Sequence, residues 1–295
     1  MERIKGADLS KLTTLKVGGR ADLLVIPNKV EDVRESVLLS REKDVPLFIL
    51  GGGSNTVFGD VKGIVLWLRR LRGMKVVSSA EGFLVEVMAG TPLSDLVILS
   101  VRENLEGIWR LTGFPATVGG AVSMNAGAFG AEMKDFLTSV TFMDWEGNVH
   151  RVRAEEIEFS YRRSPFPGIG IVLSCELFLK RSELPVREEI TKIRTLRKRT
   201  QPVNLPTSGS TFKNPYPRHA GDLLERVGMK GYRSGDIAFS NIHANFLVNL
   251  GEGRFEDVVR IIEEAKRRVL EEFGIVLEEE VRIVEDSGSD GWKVL

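Results

Sequence analysis

Two stretches of small residues mark places where backbone can meet a ligand. The first is Gly51-Gly52-Gly53-Ser54-Asn55. It follows the apolar run Pro46-Leu-Phe-Ile-Leu50, which reads as a buried strand, so its amides can cradle phosphate oxygens. It is neither a dinucleotide fingerprint nor a P-loop: GGGSNT lacks the third glycine of GxGxxG, no acidic residue follows about 20 positions on, and no GK[ST] is present. The second stretch runs from 113 to 128. Gly113, Pro115, Thr117, Gly119, Gly120, Ala121, Gly127 and Ala128 leave a long path with little side chain, and Asn125 adds a donor and an acceptor. Such a path admits a large flat ligand carrying a pyrophosphate. The competing readings are a tight strand-exit turn for the first stretch and close packing of backbone segments for the second. Two such stretches in one chain favour a dinucleotide-type cofactor, and periodicity does not say which.

Other chemistry is excluded by residue type. Cys175 is the only cysteine, so no disulfide or cysteine-rich metal cluster forms within the chain. His150, His219 and His243 are scattered and form no HxH or HExxH pattern, so no metal site is expected. Lys and Arg total 41, as do Asp and Glu, which removes any global attraction to nucleic acid or an anionic membrane. No stretch approaches the roughly 20 apolar residues of a membrane span, and the first residues hold no apolar core of signal-peptide length. A cytoplasmic protein, monomeric and acting on a small molecule, is the expectation.

These stretches need elements to hold them. Asn28 and Glu31 read as a capping box opening a helix with apolar positions Val30, Val33, Val37 and Leu38. Strands are predicted at 63–67, 82–88, 139–143 and 170–174, interrupted by helical stretches at 93–104 and 129–136. This mixture reads as α+β. A basic helix from Arg187 to Arg199 stops before Pro202. Phe255, Val258, Val259, Ile262, Ala265, Val269 and Phe273 recur at three- and four-residue steps, which predicts an amphipathic helix closed by Gly274. A strand at 280–284 follows, and the tail from Asp286 reads as frayed.

Taken in order, several motifs resemble one family: TLKVGGRAD at 14–22, LGGGSN at 50–55, AGTPLSDL at 89–96, GFPATVGGAVSMNAGAFG at 113–130, YRRSPF at 161–166, GSTFKNP at 209–215, HANFLVN at 243–249 and LEEEVR at 277–282. The family is UDP-N-acetylenolpyruvoylglucosamine reductase, and the likeness covers residues 5–284. It implies a vanillyl-alcohol-oxidase-type FAD-binding fold of two α+β lobes, expected at 1–62 and 63–185, then a substrate-binding domain at 186–285 and a tail at 286–295. The compact length suggests the type lacking an inserted tyrosine-bearing loop. The resemblance further implies noncovalent FAD across the first two regions, NADPH as hydride donor, and a nucleotide sugar carrying an enolpyruvyl group as substrate.

Site residues follow by position in the motifs. Ser210 matches the family's proton donor, Arg162 the arginine of its YRxS motif, and Glu280 its glutamate, with Glu278 and Glu279 as close neighbours. A guanidinium can grip a carboxylate on which charge is growing. Lys213 and Asn214 resemble positions near the substrate diphosphate, Tyr161 one that shapes the flavin–substrate contact, and Asn245 a further substrate candidate. One departure stands out. The family commonly shows a lysine before Gln-Pro, where this chain has Thr200. Arg197, Lys198 or Arg199 can supply the missing charge, and Arg199 is the candidate carried forward.

Overall fold

The computed structural model describes residues 1–285, so the expectation for the tail lies outside the described residues. Two compact units divide the chain. Met1–Lys5, Leu23–Gly52 and Gly63–Thr195 form one; Gly6–Asp22, Gly53–Lys62 and the chain from Leu196 onward form the other.

The first unit is organised by a five-stranded antiparallel sheet, ordered Val149–Arg153, Leu137–Asp144, Gly170–Lys180, Gly82–Met88, Met74–Ser78. The middle strand pairs with both neighbours, from Ser174↔Met88 to Lys180↔Gly82 on one side and Leu137↔Leu177 to Asp144↔Gly170 on the other. It is twice as long as its apolar start suggests. Ile171, Val172, Leu173, Cys175, Leu177 and Leu179 are all buried. A strand covered on both faces has no polar side to alternate with, hence the near-continuous apolar run. The helix Leu93–Glu103 lays Leu93, Leu96 and Leu99 into this core and ends at Asn104, whose left-handed φ of 52° stops it. A parallel pair, Leu47↔Ile64 to Leu50↔Trp67, delivers the chain into Gly51.

Three details differ from the local sequence signals. The helix Val30–Glu42 has Lys29 at its N-cap and no capping box. Asp32 does the work instead, its Oδ2 accepting the Asn28 amide at 2.8 Å. Leu38 is 48% exposed, off the buried face of Val33 and Val37. The segment 129–136 is not a helix: Gly127–Ala128 and Ala131–Glu132 pair as a hairpin, followed by one 3₁₀ turn, Met133–Asp135. Phe129 and Gly130 take φ of 52° and 77° at its tip, which turns the chain back and forbids an α-helix.

The second unit has a four-stranded antiparallel sheet, ordered Thr207–Ser210, Phe246–Asn249, Ile237–Phe239, Arg233–Ser234. Arg282–Val284, shorter than the expected strand, pairs in parallel with Thr56–Phe58. The helix Phe255–Phe273 buries Val258, Ile261, Ile262, Ala265 and Val269 against Phe239, Leu247 and Ile283, and Gly274 at φ 67° caps it. Truncating this face should be costly and truncating the opposite face should not. Ile261→Ala is expected to lower stability by about 2–5 kcal/mol. Leu270→Ala, at a half-exposed position, should change it by under about 0.5 kcal/mol; urea denaturation reads both.

Candidate functional site

Within the first unit the two small-residue stretches lie against each other. A Cβ on Gly51 would sit 2.6 Å from Thr117 Oγ1, and one on Gly52 2.5 Å from the Pro115 carbonyl oxygen. Gly119 is pressed on Ala89, whose Cβ would be 2.6 Å away. Close packing within the protein therefore accounts for these glycines. The first amides of the short helix Val118–Ser123 are also used by the protein: Val118 N–H donates to Thr91 O, Gly119 N–H to Ala89 O, and Thr117 Oγ1 accepts from Gly120. The loop 51–55 is built differently. Gly51 O accepts from Trp67 Nε1, Gly53 O from the Thr14 amide and Asn55 O from the Arg282 amide. Among the described residues it is these carbonyls, and not the loop's amides, that bond to the protein. Amides left without a protein acceptor can bond an anionic diphosphate. Gly113 and Pro115 are exposed, and Ala121 and Ala128 keep side-chain bulk off the rest of the path.

Asn125 ties the second stretch to Arg162. It is fully buried at φ 43°. Its Nδ2 donates to Ser160 O at 3.0 Å and Glu132 Oε2 at 3.1 Å, while Oδ1 accepts the Lys134 amide at 3.1 Å. The carboxamide expected at the cofactor is thus spent on the scaffold. Ser160 and Arg163 exchange amide–carbonyl bonds of 3.1 Å, leaving Tyr161 and Arg162 at the turn tip, with Arg162 at φ 56°. Arg162 Nη2 donates to Gly127 O at 2.6 Å, Nη1 lies 3.8 Å from Glu132 Oε1, and the guanidinium stands 4.8 Å from the Tyr161 ring centre. Gly127 has to be glycine here, because a Cβ would meet Glu132 Cγ at 2.8 Å and Arg162 Nη1 at 3.1 Å.

Ser210 and Glu280 come together in the second unit. Ser210 ends the strand Thr207–Ser210, opposite Phe246, after Gly209 at φ 81°. The next carbonyl, Thr211 O, accepts the amides of Glu280 at 2.8 Å and Val281 at 3.3 Å. Glu280 O in turn accepts from Asn55 Nδ2 at 2.9 Å, which links the glutamate to the end of the glycine loop. Asn245 clamps this segment. Its Nδ2 donates to Phe212 O at 2.8 Å, its Oδ1 accepts the Phe212 amide at 3.0 Å, and its own carbonyl accepts the Thr211 amide. Lys213 pairs with Glu278, and Asn214 Oδ1 accepts the amide of Ala220 at the start of a short helix.

On the helix Val186–Thr200, Arg197 is buried, and its Nη1 donates to Gln201 Oε1 at 2.9 Å. Burial lowers its pKa. Lys198 and Arg199 are exposed. Sequence reasoning passed over Arg282. Its backbone joins Asn55 and its guanidinium is desolvated, which lowers its pKa while an arginine stays charged. Its position two residues after Glu280 was the available signal.

The C-terminal domain model of UDP-N-acetylenolpyruvoylglucosamine reductase matches residues 201–284, and an FAD-binding domain model matches 21–153. The UDP-N-acetylenolpyruvoylglucosamine reductase of Aquifex aeolicus is 53% identical over 99% of this chain and 98% of its own length. The chain belongs to this family. The Syntrophus aciditrophicus member is 41% identical over 95% of the chain and 91% of its own length. The crystal structure of the Thermus caldophilus enzyme superposes with a TM-score of 0.77 at 36% identity, covering 96% of this chain and 98% of that one. The expected α+β fold with an FAD-binding domain is the one observed, and the chain is an FAD-dependent oxidoreductase. Among the described residues no helix is long and apolar enough to cross a membrane.

The amide edge at 51–55 fits FAD, and glycines that pack backbone can be separated from glycines that admit ligand. Gly52→Ala forces a backbone clash and should cost about 1–3 kcal/mol of apoprotein stability. At Gly120 a Cβ meets only Thr117 Oγ1 at 3.4 Å. Gly120→Ala should therefore leave apoprotein stability within about 1 kcal/mol and weaken FAD retention, as read by calorimetry and flavin titration.

Proposed function

We propose that Ser210, Arg162 and Glu280 carry the family's reaction in this chain, the reduction of UDP-N-acetylglucosamine enolpyruvate to UDP-N-acetylmuramate. The observation that carries the assignment is the bonding of Thr211 O to the Glu280 amide, which keeps serine and glutamate on adjoining segments. FAD, when bound, supplies the hydride, and NADPH is its source. Once C3 of the enolpyruvyl group has taken a hydride, the electron pair of the double bond resides at C2 and spreads into the carboxylate. The planar guanidinium of Arg162 matches that carboxylate with two parallel hydrogen bonds. Ser210 donates its hydroxyl proton to C2: the O–H bond breaks, the C–H bond forms, and the alkoxide regains a proton through Glu280. A hydroxyl is a weak acid in water, but a strongly basic carbanion in a dry site is partner enough.

The remaining residues bind and orient. The amides of 51–55, with the backbone of 113–128 and the charge of Arg282, hold FAD noncovalently. The FAD-binding match at 21–153 and the C-terminal match at 201–284 support a division into cofactor-binding lobes before about residue 185 and a substrate domain after it. Lys213, Asn214 and Arg199 face the substrate diphosphate, Tyr161 shapes the flavin–substrate contact, and Asn245 acts by holding the Ser210 segment. A cytoplasmic location is the matching reading, since NADPH and nucleotide sugars are made there.

Stopped-flow absorbance tests the assignment. Ser210→Ala should keep flavin bleaching by NADPH near normal and slow reoxidation by the enolpyruvyl substrate by about 10²–10⁴-fold, the usual scale for a lost general acid. If the variant instead blocks bleaching and spares reoxidation, Ser210 is not the donor. The diphosphate role has its own readout. Arg199→Ala should raise substrate KM by about tenfold or more, the worth of one charge-assisted hydrogen bond of roughly 1.5–3 kcal/mol. An unchanged KM would leave that helix face to solvent.

A further inference from the structure

His243 lies outside the machinery described so far, yet the Asn245 clamp on the Ser210 segment hangs on the turn it begins. Its Nδ1 accepts the Asn245 amide at 3.2 Å, and its carbonyl accepts the Phe246 amide at 3.1 Å. Ser240 Oγ accepts the Ile242 and His243 amides on the approach. The turn therefore presents Asn245 in one orientation, from which it makes three hydrogen bonds to Thr211 and Phe212. Ser210 is the residue just before that clamp and pairs with Phe246 just after the turn.

The imidazole is itself wedged. Its ring centre lies 4.9 Å from that of Phe246, and a Cβ on Gly221 would come within 3.1 Å of its Cε1. An Nδ1 that accepts a hydrogen bond carries no proton, so the neutral ring is protonated at Nε2. We propose that His243, as this tautomer, is a positioning residue for Ser210, setting the turn from which Asn245 clamps the serine's segment. The proposal rests on the reading of Ser210 as proton donor.

A proton on Nδ1 removes the acceptor and leaves the Asn245 amide without it. Burial lowers the pKa of His243 below 6.5, and the Lys230 ammonium adds to this, while Asp222 and Glu225 on the neighbouring helix pull the other way. Residues 240–242 and the strand Phe246–Asn249 contribute no titratable group. The net direction is down. The clamp is therefore still complete at the ordinary histidine value and is lost only as pH falls through the lower value that burial sets.

The test is reoxidation of the reduced holoenzyme by its enolpyruvyl substrate, followed from about pH 5 to pH 8, the span over which histidine changes charge. The wild-type rate should fall below pH 6.5 by roughly five- to tenfold, the worth of one intramolecular hydrogen bond. His243→Asn supplies an acceptor oxygen that does not titrate, so it should restore the neutral-pH rate and lack this acid limb. His243→Leu should be slow at every pH, and in all three proteins bleaching by NADPH should be unaffected. Nitrogen-15 spectra of labelled histidine give a readout independent of turnover: an unprotonated Nδ1 is expected, and a protonated Nδ1 at neutral pH overturns the proposal. The same acid limb in wild type and His243→Asn overturns it alone. Ser210→Ala reoxidised as fast as wild type removes the proton-donor reading and the proposal with it.

Discussion

A buried carboxamide bonded to irregular backbone is the device on which two of the proposed site residues, Arg162 and Ser210, depend. Asn125 serves the turn that carries Arg162, and Asn245 serves the segment that carries Ser210. Both are almost completely buried. A buried amide or carbonyl left without a partner costs roughly 1–3 kcal/mol, and irregular backbone has no helix or sheet to satisfy it. Each asparagine satisfies one backbone carbonyl and one backbone amide: Asn125 those of Ser160 and Lys134, Asn245 both of those of Phe212. It can do so only if the segment it faces keeps one conformation. The energetic requirement to satisfy backbone thereby becomes a geometric requirement on the reactive side chain.

That requirement explains why strain is tolerated where it is found. Asn125, Phe129 and Arg162 are non-glycine residues with positive φ; Asn125 and Arg162 contact Glu132, and Phe129 is at the tip of the hairpin that carries it. Each costs on the order of 1–2 kcal/mol. Offsetting this are the bonds of Asn125, the reciprocal pair between Ser160 and Arg163, and the guanidinium bond to Gly127 O. Strain of this kind persists where surrounding contacts over-determine the backbone, and it presents a side chain already oriented for its task. Arg162 keeps little side-chain freedom, because its fork is already held on two sides.

Much of the scaffold was legible in local pattern. The three- and four-residue apolar steps from Phe255 to Phe273 and the glycine after them predicted a helix and its end, because burial of one face and a left-handed cap both leave sequence marks. The strand before Gly51 was readable for the same reason. The hairpin at 127–132 was not, since Gly-Ala-Phe-Gly-Ala-Glu has no alternation and its turn conformation falls on a phenylalanine. The helix at Val30 was found, but its cap was assigned to the wrong carboxylate by one residue. At the site, motif order put forward Ser210, Arg162 and Glu280 as candidates. It said nothing of what holds them, and it assigned Asn125 to the cofactor. The bonds of Asn125, Asn245 and His243 join residues that no local period relates, so only the folded chain reveals them.

The middle strand of the first unit has a consequence for how this protein can be handled chemically. Its one thiol, Cys175, is sealed between the neighbouring strands, and burial pushes its pKa far up. Reagents that attack thiolates meet an unreactive surface. A cysteine introduced at any exposed position would then be the sole reactive sulfur in the chain, without first removing the native one. A dye or spin label could be attached next to the Ser210 segment or the Arg162 turn in an otherwise unaltered enzyme, and each segment's movements followed one at a time.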